Sequence, residues 1–288
     1  MKTRDVKKNL KTKGIEADTL RFLGKGYYSH TYLLKDAKKV VKVGSTDIKR
    51  EVNAMKALKK IKMPVPKIYE VFEEENFFLM EYIQGKTLKE LLTSGNAKKH
   101  IKNIAEMRKK QMNIEMSSYA DLKGDLTPQK EYEDSISYHE DKLSMYIENI
   151  QNHSLLKEKT ISNVTGFWND KKRVFLEEPG PALCQGDSNP ANIIVKDDEI
   201  RGVVDFEHAH SSGILSDVFH VKDEAPLFRK NLDVIHDVFH ENTYEEIKDL
   251  FDLYQILIAL SMLCRIPKVD RDTEKMKQLA KKKLKRII

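Results

Sequence analysis

The sequence predicts an α+β fold in two lobes, a small antiparallel β-rich lobe with one helix over residues 1–84 and a larger, mainly helical lobe over 85–288. Three observations predict it. Short apolar runs between Thr19 and Ile83 are separated by glycines, by Asp36-Ala37 and by an acidic turn, the punctuation of strands and hairpins. Beyond Thr87, apolar residues return at intervals of three and four, the period of helices. Two polar segments, LCQGDSNPANIIV (183–195) and GVVDFEHAH (202–210), interrupt the helical part with short strands.

Taken in order, TLRFLGKG, YSHTYLLK and KKVVKVG read as three strands, with Gly24 and Gly26 in the first turn. A helix over 47–60 follows, because Ile48, Val52, Met55 and Leu58 share one face and Thr46 or Asp47 stands at its cap. Pro64 and Pro66 then impose extended backbone. KIYEVFEEENFFLMEYI (67–83) is a hairpin turning at EEEN, and Gly85 breaks the pattern in a connector near 80–85. Helices are expected over 87–93, 97–116, 131–152 and 244–264, with ALCQGD, NIIVKDD and EIRGVVDF as strands among them. Met276, Leu279, Leu284 and Ile287 mark an amphipathic closing helix.

At 288 residues, 40% hydrophobic and 33% charged, the chain suits a soluble globular protein with a sizeable core. Its most apolar stretch, Ile256–Cys264, is far short of the ~20 residues of a membrane span. No secretory signal follows the charged N-terminus, and Cys184 and Cys264 form neither metal-ligand spacing nor a disulfide framework, so a cytoplasmic location is expected. The net charge of +6 hides a division. Residues 1–13 carry +5 and 275–288 carry +7, which leaves −6 for the body between them.

The two polar segments carry the chemistry. Asp187 and, five residues on, Asn192 have the spacing of a kinase catalytic loop, and Asp205 opens D-F-E where a kinase has D-F-G. Phosphoryl transfer uses such groups: a carboxylate to orient a hydroxyl, and an amide oxygen with a carboxylate to hold Mg²⁺ against nucleotide phosphates. Alone, Asp187 and Asn192 also fit an ordinary turn. The remainder of a kinase is present upstream. Gly24 and Gly26 allow backbone near phosphate, with Ser29 where a third glycine would stand. Lys42 lies on the strand face opposite Val41 and Val43. Glu51 sits beside the inward stripe of the next helix, where pairing with Lys42 offsets the cost of burial. The backbone of Glu81 and Ile83, in the connector, is placed to read an adenine edge.

On LGKGYYS, VVKV, REVNAMKAL, VPKIYEVF, LMEYIQGKTL, QGDSNPANIIV, GVVDFEHA and GILSDVF, the chain resembles the aminoglycoside phosphotransferase and choline kinase-like family, over about Leu20 to Cys264. The resemblance implies a protein-kinase-like fold and ATP or GTP with Mg²⁺ as cosubstrate and metal. It also implies Asp187 as the residue that orients the acceptor hydroxyl, Asn192 and Asp205 as metal ligands, and Lys42 with Glu51 as the phosphate anchor. Asp217 is then a structural anchor under the loop. The sequence departs from the family at Gln185, where a histidine is usual, and glutamine also donates and accepts.

The acidic body points to a small cationic acceptor, an aminoglycoside-type antibiotic first and choline or another amino-alcohol second. Glu207, Asp223 and Glu224 are the acids expected to select it, with Glu131, Glu133 and Asp134 as further candidates. A protein kinase is the runner-up, although Asp217 follows Asp205 too soon for a long activation segment. A nucleotide-binding regulatory module reaching nucleic acid through its basic ends is the reading from a different class.

Overall fold

The computed structural model describes residues 3–26, 29–44, 48–266 and 273–288. Helix α1 (Thr3–Thr12) precedes β1 (Leu20–Lys25), β2 (Ser29–Leu34), β3 (Lys39–Gly44), α2 (Lys49–Lys60), β4 (Ile68–Phe72) and β5 (Phe77–Glu81). The strands form one antiparallel sheet in the order β1-β2-β3-β5-β4. Alternation along β3 separates its faces. Val41 and Val43 join Tyr32, Leu34, Phe77 and Leu79 in a core with α1, whereas Val40 joins Phe78 and Met80 in a core with α2. Hydrophobic periodicity hardly announces α1, because Val6 and Leu10 are its only buried residues in a lysine-rich segment. The caps expected for α2, Thr46 and Asp47, lie outside the described residues.

Nine helices follow among the described residues: α3 (Leu88–Leu91), α4 (Ala97–Lys109), α5 (Ser135–Asn152), α6 (Glu158–Lys171), α7 (Leu215–Phe219), α8 (Ala225–Arg229), α9 (Leu232–Val238), α10 (Tyr244–Arg265) and α11 (Thr273–Ile287). Two small sheets lie among them. One is ordered β10-β9-β6, from β6 (Lys86–Thr87), β9 (Ile193–Lys196) and β10 (Glu199–Val203). The other is ordered β7-β11-β8, from β7 (Ala120–Asp121), β8 (Ala182–Cys184) and β11 (His210–Ser212). α10 runs through the helical core, buried at every residue from Leu250 to Leu260. That explains its long apolar run. No helix among the described residues is long and apolar enough to cross a membrane.

Two helices are shorter than their periodicity. α4 stops at Lys109 and continues as a 3₁₀ turn, Lys110–Asn113. α5 begins only at Ser135, because the Asp134 carboxylate accepts from Ser137 N at 2.7 Å as an N-cap. Helix α6 was hidden by its amphipathic dilution, with only Ile161, Val164 and Trp168 buried. One packing feature positions the site. Val52, Met55 and Leu58 of α2 share a single core with Leu183, Val203, Phe206 and Ala209, which flank the two polar segments. Close packing therefore ties α2 and β3 to the two polar segments.

Candidate active site

β8 runs into Gln185-Gly186-Asp187, then a single 3₁₀ turn at Pro190–Asn192 leads into β9. Gly186 has φ +81°, and a Cβ there would fall 2.1 Å from His208 O. Only glycine lets the loop pass so close to the segment beyond Asp205. Asn192 Nδ2 donates to Asp187 O at 2.9 Å, and Val204 N donates to Asn192 O at 3.0 Å. These bonds lock the two polar segments together and leave the Asn192 carboxamide oxygen for a ligand. Asp205 follows with φ +70°, a left-handed conformation that aspartate tolerates better than most residues.

A buried scaffold supports the loop. Asp217 accepts from Gln185 N at 2.6 Å and from Gly186 N at 3.1 Å, and Arg108 Nη1 lies 3.3 Å from its carboxylate. Burial raises the Asp217 carboxyl, and Arg108 and the two backbone donors outweigh that and hold it below its ordinary value. Gln185 uses both ends of its amide. Its Oε1 accepts from Arg108 and from Ser188 Oγ, while its Nε2 donates to Val204 O at 2.6 Å and Asp205 O at 3.2 Å. The residue in place of the family's usual histidine thus bridges the arginine scaffold to the Asp205 backbone.

Lys42, 4% exposed, lies 2.8 Å from Glu51, 2.6 Å from Asp205 and 3.8 Å from Glu207. Burial disfavours its ammonium form, and the three carboxylates more than offset this, so the charge is held. Glu51 Oε1 also accepts from Phe206 N at 3.2 Å, which joins α2 to the D-F-E segment. Glu51, Asp205 and Glu207 present carboxylate oxygens within 4.8 Å of one another. Burial and the neighbouring acids push Glu207 up to about 7.

Asp187 is set among basic side chains. Its Oδ1 lies 3.4 Å from His220 Nε2 and 3.5 Å from Lys222 Nζ. Burial raises its carboxyl, but His220, Lys222 and Arg265 prevail and keep it below the ordinary aspartate value. His208 and His220 are themselves driven down to about 4 by burial, so both imidazoles are neutral near pH 7. Beside this group opens a cavity of about 340 Å³, bounded by Gly186 and His220 on the loop side and by α5 and α10 on the other.

The expected residues fall into four sets. Lys42, Glu51, Asp205, Asn192 and Asp187 converge, as their spacing suggested. The glycine-rich turn is less open to a ligand than the sequence implied: Gly26 N donates to Ser29 O at 2.9 Å and Ser29 is buried, while Gly24 has open space. In the connector, Glu81 N is taken by Lys67 O and Tyr82 N by Lys38 O, whereas no backbone carbonyl among the described residues accepts from Ile83 N. The expected acceptor-binding acids are placed elsewhere. Glu207 belongs to the Lys42 cluster, Asp223 and Glu224 face Lys89 at 3.5 and 3.6 Å, and none of the three lines the cavity. Glu131 and Glu133 are exposed, and Asp134 is spent on its cap. Sequence reasoning missed Arg50, Lys142, His208, His220 and Arg265; the available signals were Arg50 beside Glu51 and His208 three residues after Asp205, whereas Lys142 and Arg265 come from distant parts of the chain.

The sequence profile described as the phosphotransferase enzyme family matches residues 19–250. No curated protein matches the sequence. Among solved structures, the ADP-bound aminoglycoside phosphotransferase APH(2'')-Ib superposes with a TM-score of 0.67 at 19% identity, covering 97% of this chain and 96% of its own. The GDP complex of aminoglycoside 2'-phosphotransferase-IIIa gives 0.75 at 14% identity, with both chains fully covered. A fructosamine-3-kinase from Thermobifida fusca, described there as putative, gives 0.67 at 16% identity, covering 99% of this chain and 100% of its own. At such identities the likeness establishes the kinase-like fold.

Proposed function

The chain belongs to the phosphotransferase enzyme family, and on that premise we propose that it transfers the terminal phosphoryl group of ATP or GTP, with Mg²⁺, to a hydroxyl of a small molecule. The observation that carries this reading is the placement of the Lys42 ammonium 2.6 Å from Asp205, while Asn192 is bonded to Asp187 at 2.9 Å. Residues 1–84 hold the nucleotide in this reading, and 85–288 supply the catalytic loop and the acceptor site. The unclaimed Ile83 N–H serves the adenine edge, and Gly24, with open space above it, lets the β1–β2 turn approach the phosphates.

The donor set fits a magnesium ion. Glu51 is committed to Lys42 and Phe206 N, which leaves Asp205, Glu207 and the Asn192 carboxamide as hard oxygen ligands. When bound, the ion neutralises phosphate charge and polarises the terminal phosphoryl group. Lys42 anchors the other phosphates. Asp187 orients the acceptor hydroxyl and takes its proton as the acceptor oxygen bonds to phosphorus. The bond from phosphorus to the bridging oxygen breaks, and the nucleoside diphosphate leaves with the electron pair. Lys222 holds the Asp187 carboxylate ionised, and the neutral His220 imidazole beside it helps to keep it in place.

The chemistry is thus read from the site, whereas the fold serves several acceptors. A polycationic aminoglycoside, with antibiotic resistance as its consequence, is the expectation from the acidic body and from the named neighbours. The charges around the cavity favour a different acceptor, developed below. Asp187→Ala tests the phosphotransfer reading. Label transfer from ATP should fall by about 10³-fold or more, with nucleotide affinity retained. Unchanged turnover in that variant overturns the assignment.

A further inference from the structure

Among the described residues, three cations, Arg50, Lys142 and Arg265, line the cavity beside Asp187, against two carboxylates, Asp121 and Asp217. Both acids are already balanced. Asp121 is paired with Lys142 at 3.0 Å, which offsets that lysine's charge in turn, and Asp217 is closed in by Arg108 behind the cavity wall, so the lining keeps a net positive charge through Arg50. Arg50 is bonded only to backbone carbonyls, with its Nε donating to Glu207 O and its Nη1 to Leu122 O, each at 3.0 Å. No carboxylate among the described residues forms an ion pair with it. A second observation points to a polar ligand. His139, 3% exposed and lining the same cavity, has an Nδ1 with no hydrogen-bond partner among the described residues. A buried polar atom left unpaired is costly unless something else binds it.

We propose that the phosphate acceptor is a hydroxyl compound bearing an anionic group, a carboxylate or a phosphate ester, held in this cavity by Lys142 and Arg265. The proposal rests on the phosphotransfer reading and narrows its acceptor. Fixed guanidinium and ammonium groups attract an anion and repel a polycation, and charge juxtaposition of this kind sets specificity. The volume of about 340 Å³ suits a molecule of sugar size. The acceptor hydroxyl lies toward Asp187 and the anion toward α5 and α10, with a further polar group at His139. The transfer step is unchanged: the acceptor O–P bond forms, the bond to the nucleoside diphosphate breaks, and Asp187 receives the hydroxyl proton.

The test uses the full chain with Mg²⁺ and two readouts, calorimetric binding in the presence of a non-hydrolysable ATP analogue and transfer of labelled phosphate from ATP. Four sets of probes are compared: hydroxy acids such as gluconate, sugar phosphates, neutral polyols, and aminoglycosides such as kanamycin. The expected result is binding and transfer confined to the two anionic sets, whose separate responses distinguish carboxylate from phosphate ester. Lys142→Glu should raise KM for the preferred anion by about tenfold or more with a much smaller change in kcat, and Lys142→Arg should recover it. Arg265→Gln gives an independent second variant. Preference for the aminoglycosides, indifference to charge, or no binding of any anionic probe overturns the proposal. Anionic binding without phosphate transfer upholds the ligand class and overturns the phosphotransfer reading instead.

Discussion

On the strand side of the catalytic loop, Lys42 lies among Glu51, Asp205 and Glu207; on the helix side, Asp187 lies near Lys222, His220 and Arg265. The two sides of one cleft thus carry opposite charge. An excess of carboxylate suits a divalent cation and the phosphates it brings, whereas an excess of guanidinium and ammonium suits an anion. The difference lies in how the charges are arranged. The first set is packed in direct contact around one buried lysine, so its residue types are interdependent. On the helix side the cations Arg50, Lys142 and Arg265 are spread along a cavity wall, where Arg50 is fixed by backbone carbonyls and Lys142 by Asp121. On the proposed function, phosphate handling is therefore rigidly specified, and acceptor choice is open to change one residue at a time.

Breaking the strand side should have the largest effect. Lys42→Met leaves Glu51, 2% exposed, without its ion-pair partner, and loss of one member of a buried pair costs about 3–5 kcal/mol. Denaturant unfolding should show that loss, and turnover should collapse. Adding Glu51→Gln should restore much of the stability and none of the activity, whereas full recovery of both would show that the pair is dispensable.

Gly186→Ala strikes the seam between the two sides. With φ +81° and a Cβ 2.1 Å from His208 O, the loop must move, at an expected cost of about 2–4 kcal/mol and a lowered kcat. A crystal structure of the variant with an undisturbed loop would contradict this. Gln185→Leu should be milder, about 2–3 kcal/mol, because Arg108 loses one of several partners and the Val204 and Asp205 carbonyls lose a donor. Gln185→His should retain most activity, since imidazole also offers one donor and one acceptor.

The smallest effect belongs to the floor of the helix side. Burial pushes Glu178 up to about 8, and Tyr254 donates to it at 2.6 Å beside His139. A folded-state value above the unfolded one means that the native protein binds the extra proton. Its stabilising contribution is therefore complete below about pH 4.5 and is lost as pH rises toward 8. In Glu178→Gln that slope should flatten, by about 2–3 °C in Tm per pH unit across the window. An unchanged slope by scanning calorimetry would place the titration elsewhere.

Much of the nucleotide side was legible in the chain because its chemistry restricts residue types at short, regular intervals. The face of Lys42 follows from strand alternation, the inward position of Glu51 from helical spacing, and the Asp187–Asn192 interval from a single tight turn. Legibility failed where local pattern was weak or misleading. α1 has two buried apolar residues in a lysine-rich segment, and α6 has three in fourteen. The acids Asp223 and Glu224 looked like acceptor ligands by proximity in sequence, yet Lys89 from another segment faces them.

By itself, the sequence determined the two-lobe α+β architecture and the residues Lys42, Glu51, Asp187, Asn192 and Asp205 that converge in one cleft, since both depend on short-range spacing. Only the tertiary structure decided the charge of the cavity beside Asp187. Arg50, Lys142 and Arg265 are separated by some ninety to a hundred and twenty residues, and they meet only because the cores around α2, α5 and α10 close on the same catalytic loop. Net charge along a chain cannot foretell which cations that closure brings together. An acidic body therefore surrounds a basic cavity, and the physical reason is long-range packing.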